Sequence, residues 1–146
     1  MKNTMEIKFK ALPENEAFAR NVVASFILPL NPNINELEDI KTAVSEAVTN
    51  VIVHAYPEKK GYVNMKITTE NKNIQIEIWD NGVGIADIDR ALTPFYTTKP
   101  NEERSGMGFT VMESFMDKLT VRSKPGRGTS IIMVKKILPR YAVEKH

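Results

Sequence analysis

Two stretches of this chain decide its fold, Glu46-Ala47-Val48-Thr49-Asn50 and, further along, Asp80-Asn81-Gly82-Val83-Gly84. The first lies in a run with helical periodicity, which we predict to extend from about Asn35 to Tyr56. The second follows an alternating apolar segment that predicts a strand over 73–79. The sequence therefore predicts an acid and an amide on a helix, and a second acid beside a glycine turn.

The pattern on either side of these stretches predicts strands and helices without a regular βαβ repeat. We predict strands over 5–11, 62–69, 73–79, 118–123 and 129–137, helices over 13–28, 35–56 and 107–116, and one helical turn over 87–92. Such an order favours an α+β fold, a two-layer α/β sandwich with helices on one face of a mixed β-sheet. With 146 residues the chain is predicted to form a single domain, 1–146.

Composition excludes several classes of protein. Hydrophobic residues make up 42% and charged residues 26%, which is typical of a globular domain with a real core. The absence of cysteine excludes disulfides and thiolate metal sites. No apolar run approaches the ~20 residues of a membrane span, and the N-terminus lacks the apolar core of a signal peptide. We therefore expect a cytoplasmic protein without a membrane partner.

Charge is unevenly distributed along the chain. The net charge is +2, but residues 118–146 carry eight basic side chains against one acidic. A basic tail of this kind can contact nucleic acid or an acidic protein. The charges are not regularly interleaved with aromatic residues, so we favour a solvated strand face and expect no direct contact with nucleic acid.

Glu46 and Asn50 are spaced to project from one helix face. Apolar residues surround them, so this half of the helix is predicted to be buried on more than one side. An unpaired buried charge is costly, and a hard cation with phosphate oxygens would satisfy both side chains. Mg²⁺ needs only one or two such protein ligands. The alternative is a hydrogen-bonded structural pair in the core.

Asp80 and the glycines that follow it form a second candidate site. A carboxylate at a strand end can accept a hydrogen bond from an exocyclic amine such as adenine N6, and Gly82 and Gly84 permit close approach of the backbone to a ligand. A plain turn is the alternative. The Gly128-Thr129 pair, which opens the last strand, adds a hydroxyl that can join Asp80, although such a pair is also common in turns.

Phosphate binding is predicted where Gly106-Met107-Gly108-Phe109 opens an apolar helix. Free backbone N–H groups and the helix dipole favour anions there. The spacing is not that of a Walker A loop. The preceding Thr97-Thr98-Lys99 and Arg104-Ser105 suit a lid over a triphosphate, in which Arg104 would stabilise charge on the transferred phosphate. A solvated charged loop is the alternative.

Taken together, these motifs resemble those of the GHKL (Bergerat-type) ATPase superfamily, which includes gyrase, Hsp90, histidine kinases and MutL. The stretch 46–50 resembles the N box, 80–84 the G1 box and 106–108 the G2 box, over about residues 40–135. Finer matches over 45–50, 95–100 and 103–109 resemble the anti-sigma-factor serine kinases of Gram-positive bacteria. The whole chain is similar to the sporulation branch of that family.

The resemblance implies a homodimer that binds ATP or ADP with Mg²⁺. It would hold a sigma F-like factor away from RNA polymerase and phosphorylate a serine of an anti-anti-sigma factor. Glu46 would be the general base, Asn50 the Mg²⁺ ligand, and Arg104 the sensor of the γ-phosphate. Residues 1–34, including Arg20, would form the dimer and partner surface, and 86–107 the ATP lid. The cofactor-binding set would be Asn50, Asp80, Gly82, Gly84, Thr97, Thr98, Lys99, Ser105, Gly106, Met107, Gly108, Phe109 and Thr129.

One departure from the superfamily is informative. Histidine kinases usually carry a lysine three residues after the N-box asparagine, whereas this chain has Val53. Three alternatives stay open: a nucleotide-gated sigma-binding protein without significant kinase activity, a stress-response anti-sigma kinase of the same branch, and a detached ATP domain of a histidine kinase.

Overall fold

The structure is a computed structural model, and it describes residues 1–57, 59–92 and 108–139. Every predicted strand and helix has a counterpart within these ranges, and no helix there is long and apolar enough to cross a bilayer. The elements are β1 (Lys2–Lys10), α1 (Asn15–Ile27), α2 (Ile34–Asn50), β2 (Tyr62–Glu70), β3 (Asn73–Trp79), α3 (Ile88–Ala91), α4 (Gly108–Phe115), β4 (Lys118–Lys124) and β5 (Gly128–Lys136). A 3₁₀ turn, Leu28–Leu30, follows α1, and a π-helical segment, Val51–Ala55, follows α2.

The five described strands form one sheet in the order β1-β2-β3-β5-β4. Each neighbouring pair is antiparallel, which corrects the predicted mixed sheet. Strand β4 does run parallel to β3. However, β5 follows β4 through a tight turn and lies between β3 and β4, where its Met133 pairs with Ile76 of β3. Alternation along a strand predicts its two faces but not its neighbours.

The predicted two-layer sandwich is confirmed. Alternate side chains of the central strands are buried on one sheet face, among them Met65, Ile76 and Met133. Helices α1 and α4 both pack against α2, which contributes Ile40, Val44 and other buried side chains to the same core. Burial of such side chains, each worth about 1.5–3 kcal/mol, holds the helical layer on the sheet.

Helix α2 is fixed at its start by a capping box. The Asn33 side chain accepts from the Glu36 N–H at 2.7 Å, and Glu36 Oε1 accepts from the Asn33 N–H at 2.9 Å. The second oxygen of Glu36 accepts from the Leu138 N–H at 2.9 Å. The buried Glu36 carboxylate thus caps α2 and also binds the segment that follows β5.

The end of α2 differs from the prediction of one continuous helix to Tyr56. The α-helical pattern ends at Asn50, and Val51–Ala55 form a π-helical segment. Three successive β-branched residues, 51–53, weaken the preference for an α-helix there. The wider turn brings the Ala55 carbonyl within 2.9 Å of the Val83 N–H, so the helix end docks on the glycine turn.

Candidate functional site

Asp80 lies directly after β3, and its side chain is almost completely buried. Its Oδ1 accepts from the Gly82 N–H at 2.8 Å and from the Thr129 N–H at 3.3 Å. Burial raises the pKa of the Asp80 carboxyl, and the two backbone hydrogen bonds oppose that rise. Oδ2 accepts no hydrogen bond from the described residues. It is therefore available to a donor on a ligand.

Three glycines allow backbone segments to meet around Asp80. A Cβ on Gly82 would collide with the Ala55 carbonyl, one on Gly84 with the Lys124 carbonyl, and one on Gly128 with the Asp80 carbonyl. Gly84 and Gly128 also have φ of 76° and 102°. The sequence attributed the close approach at Gly82 and Gly84 to a ligand. The structure shows a close approach between protein segments, and nucleotide contact by these glycines stays a prediction.

Tyr56 joins the helix end to the same turn. Its hydroxyl accepts from the Asn81 N–H at 3.0 Å and donates to the Tyr62 carbonyl at 2.7 Å. The ring lies against Gly61, where a Cβ would collide with it. Sequence reasoning missed this residue, because a tyrosine before a proline at a helix end belongs to no motif. The pairing with Gly61 is visible only in three dimensions.

Thr129 is buried beside Asp80, which accepts from its backbone N–H, and the predicted role of its hydroxyl in nucleotide binding stays a prediction. Its Oγ1 lies 2.8 Å from Ser123 Oγ. Ser123 Oγ also accepts from the Ile85 N–H at 2.7 Å and lies 2.9 Å from the Gly128 carbonyl. Sequence reasoning missed Ser123, because it occupies an ordinary position in an alternating strand.

Glu46 and Asn50 lie one turn apart near the end of α2, and both are half-buried. Ala47 and Val48, between them, are completely buried. The Asn50 side chain forms no hydrogen bond within the described residues, so its amide oxygen can serve as a ligand. No cluster of three or more His, Cys, Asp or Glu side chains suited to a metal occurs in the described part of the chain. Mg²⁺ does not require one, and an amide with a nearby carboxylate fits its preference for oxygen.

The predicted phosphate site is described only at its end. Gly108 is the first residue of α4, and the Phe109 side chain is 8% exposed within the core. Nucleotide contact by Phe109 stays a prediction, and with its ring in the core it would be made through the backbone. The remaining predicted residues, Thr97, Thr98, Lys99, Arg104, Ser105, Gly106 and Met107, lie outside the described residues.

Arg20 lies on α1, apart from the glycine turns. It forms an ion pair with Glu16 at 3.3 Å and lines a cleft of about 330 Å³ between α1 and α2. Ser45, which precedes Glu46, lines the same cleft, and its buried Oγ has no hydrogen-bond partner within the described part of the chain. Because α2 carries both Ser45 and Glu46, this cleft borders the candidate catalytic helix.

The structure thus brings together a buried carboxylate at a strand end, a glycine turn docked on a helix end and a Glu/Asn pair on that helix. This is the arrangement that the sequence predicts for an ATP-binding domain. The family model described as "Histidine kinase-like ATPase domain" matches residues 9–135. The chain is 54% identical over 136 residues to the anti-sigma F factor of Clostridium acetobutylicum, covering 93% of this chain and 95% of the relative. It is 52% identical to the anti-sigma F factor of Bacillus velezensis, covering 92% and 93%. The chain belongs to the histidine kinase-like ATPase family and, within it, to the anti-sigma F factors.

Solved structures share the fold. The RsbU and RsbW domains of Rv1364c from Mycobacterium tuberculosis match with a TM-score of 0.62 at 15% identity, covering 92% of this chain and 32% of that one. The catalytic domain of histidine kinase ThkA matches with a TM-score of 0.53 at 18% identity, covering 91% and 96%. Family and fold together support nucleotide binding and an ATP-using kinase in general.

Proposed function

We propose that this protein is an ATP-dependent protein serine kinase that also binds and inhibits an RNA polymerase sigma factor of the sigma F type. Its acceptor is a serine of an anti-anti-sigma factor, and it acts as a cytoplasmic homodimer of one domain, 1–146. One observation carries the proposal. The helix with Glu46 and Asn50 docks, through the Ala55 carbonyl, on the turn that follows Asp80. This contact joins a candidate base and metal ligand to a candidate adenine site.

Each end of the nucleotide has candidate groups in this chain. Asp80 Oδ2 accepts from the adenine amine, and the Thr129 hydroxyl lies beside it. The N–H groups at the start of α4, with the stretch 97–107, hold the phosphates. Asn50, whose side chain forms no hydrogen bond within the described residues, would hold Mg²⁺, and the ion would neutralise negative charge on the phosphates. The glycine-supported backbone keeps these groups in place without reorganisation.

Glu46 acts on the acceptor. Its carboxylate takes the proton of the partner's serine hydroxyl as the serine oxygen bonds to the γ-phosphorus. The bond from that phosphorus to the bridging oxygen breaks, and ADP carries away the electron pair. Arg104 stabilises charge on the transferring group. The products are phosphoserine, ADP and a protonated Glu46, which returns its proton to water.

The test is transfer of label from γ-labelled ATP to the anti-anti-sigma factor by the wild type, Glu46→Gln and Glu70→Gln. We expect Glu46→Gln to lose about 10²- to 10⁴-fold in rate, the usual contribution of a general base. Glu70 is the control, since it is an exposed glutamate at the end of β2 that lies outside the cleft beside Arg20. Glu70→Gln is expected to transfer label at the wild-type rate.

Other outcomes identify the alternatives. ATP binding without transfer would leave a nucleotide-gated sigma-binding protein, with Glu46 in a structural role. Acid-labile phosphohistidine on a partner would identify an ATP domain of a histidine kinase. Transfer at the wild-type rate by Glu46→Gln would exclude Glu46 as the base. Preference for a stress-response sigma factor would reassign the protein within the same branch.

A further inference from the structure

Ser123 is the point at which three segments of the candidate adenine site meet. Its Oγ is bonded to the Ile85 N–H of the segment after the glycine turn, and lies near the Gly128 carbonyl and the Thr129 hydroxyl of β5. A second bond holds the same segments together, from the Gly126 N–H to the Val83 carbonyl at 2.7 Å. Ser123 itself has no predicted contact with a nucleotide.

The number of protons in this network limits what Thr129 can do. A serine hydroxyl donates one hydrogen bond and accepts two. Ser123 Oγ accepts from Ile85, and the Gly128 carbonyl can only accept, so the Ser123 proton is needed there. Ser123 Oγ then accepts its second hydrogen bond from the Thr129 hydroxyl. This arrangement satisfies every described contact of Ser123. The reverse direction between the two hydroxyls leaves the Gly128 carbonyl without the Ser123 proton.

We propose that Ser123 is a positioning residue that accepts a hydrogen bond from the Thr129 hydroxyl. Thr129 and Asp80 then present only hydrogen-bond acceptors to the base and select a 6-amino purine over a 6-oxo purine. The inference rests on the proposed function, in which Asp80 and Thr129 bind the base. Thr129 Oγ1 keeps its lone pairs for the ligand, and Asp80 Oδ2 is free within the described residues. A 6-amino group donates to both acceptors, whereas a 6-oxo group has no proton to offer.

Burial makes this selection effective. Asp80 is 5% and Thr129 7% exposed, so water cannot easily replace a missing donor. A buried acceptor left without its donor loses the hydrogen bond and keeps its desolvation cost. Without Ser123 the Thr129 proton is no longer held. The hydroxyl can then turn and donate to a 6-oxo group.

The test is the ratio of the dissociation constants of inosine triphosphate and ATP, measured calorimetrically on the full chain. The wild type is expected to prefer ATP. Ser123→Ala is expected to reduce this ratio about three- to tenfold, the range for one hydrogen-bond mismatch. Ser123→Thr, which keeps the hydroxyl, restores it. Ser130→Ala is the matched control, since the neighbouring Ser130 hydroxyl bonds Glu77 at 3.2 Å and not Thr129.

A double-mutant cycle separates positioning from a merely structural role. Thr129→Val removes the hydroxyl that Ser123 orients, so adding Ser123→Ala to it is expected to leave the ratio unchanged. Ser123→Ala that weakens both nucleotides by the same factor would overturn the inference and leave the adenine site intact. A wild type that binds both nucleotides equally would instead overturn the assignment of Asp80 and Thr129 to the base.

Discussion

The Asp80 carboxyl is buried, and only one of its two oxygens accepts hydrogen bonds from the described residues. Two backbone N–H groups fix Oδ1, while Oδ2 accepts nothing within the described residues. Burial raises the pKa of this group, which means that the charged form is disfavoured in the folded protein. The remaining oxygen leaves a hydrogen-bond acceptor for the adenine amine in the proposed function.

The affinity for ATP is expected to depend on the ionisation of Asp80. The carboxylate accepts from the adenine amine, whereas the protonated acid has lost that acceptor. Because the pKa is raised, affinity is expected to fall on acidification at a higher pH than for an ordinary Asp with pKa 3.8. Calorimetric titration with ATP across the acid range checks this. An affinity that stays constant down to the ordinary pKa would contradict it.

Asp80→Asn is expected to bind ATP weakly at every pH and to keep the fold. A group whose folded pKa is raised stabilises the protein most below its unfolded pKa, and this stability is lost as the pH rises through the folded pKa. At neutral pH the substitution therefore removes a desolvation cost. The free protein is expected to unfold at an equal or higher temperature than the wild type. Unaltered ATP affinity would exclude the adenine role.

At the scale of elements, the sequence predicted where helices and strands occur but not how their ends meet. Alternation predicted β2 and β3 to within a residue, whereas the helix predicted over 35–56 contains α2, which ends at Asn50. The π-helical segment, Tyr56 and Ser123 had no signal, because each depends on contacts between segments far apart in the chain. Asp80 and Thr129 were predicted because a carboxylate at a strand end and a hydroxyl at a strand start stand beside glycines.

Gly82→Ala is expected to destabilise the protein by roughly 1–3 kcal/mol, since its Cβ has no space against the Ala55 carbonyl. Urea unfolding measures this cost. Gly126→Asn is the control: Gly126 has φ of 79° with nothing near its Cβ position, and Asn tolerates that conformation. A Gly82→Ala variant as stable as the control would show that the helix end does not dock tightly.

At the scale of the whole molecule, one helix connects the two candidate surfaces. Helix α2 contributes Lys41 and Ser45 to the cleft beside Arg20, and its continuation Val51–Ala55 reaches the turn after Asp80. A partner bound over α1 and α2 would therefore contact the element that carries Glu46 and Asn50. A packed helix of this kind can transmit a change at one surface to the other if both ligands favour the same arrangement.

Sigma factor affinity is accordingly expected to depend on the nucleotide. ATP and ADP differ only in the γ-phosphate, which Arg104 contacts in the proposed function. Couplings between two binding sites typically change affinity by about 5- to 150-fold. We expect sigma to bind more tightly with ATP than with ADP, and Arg104→Ala to remove the difference. Linkage requires that sigma raise the ATP-over-ADP preference by the same factor, so both titrations are measured. Equal affinity of sigma for the two nucleotide-bound forms would exclude a gate that reads the γ-phosphate, while leaving the adenine site and the base untouched.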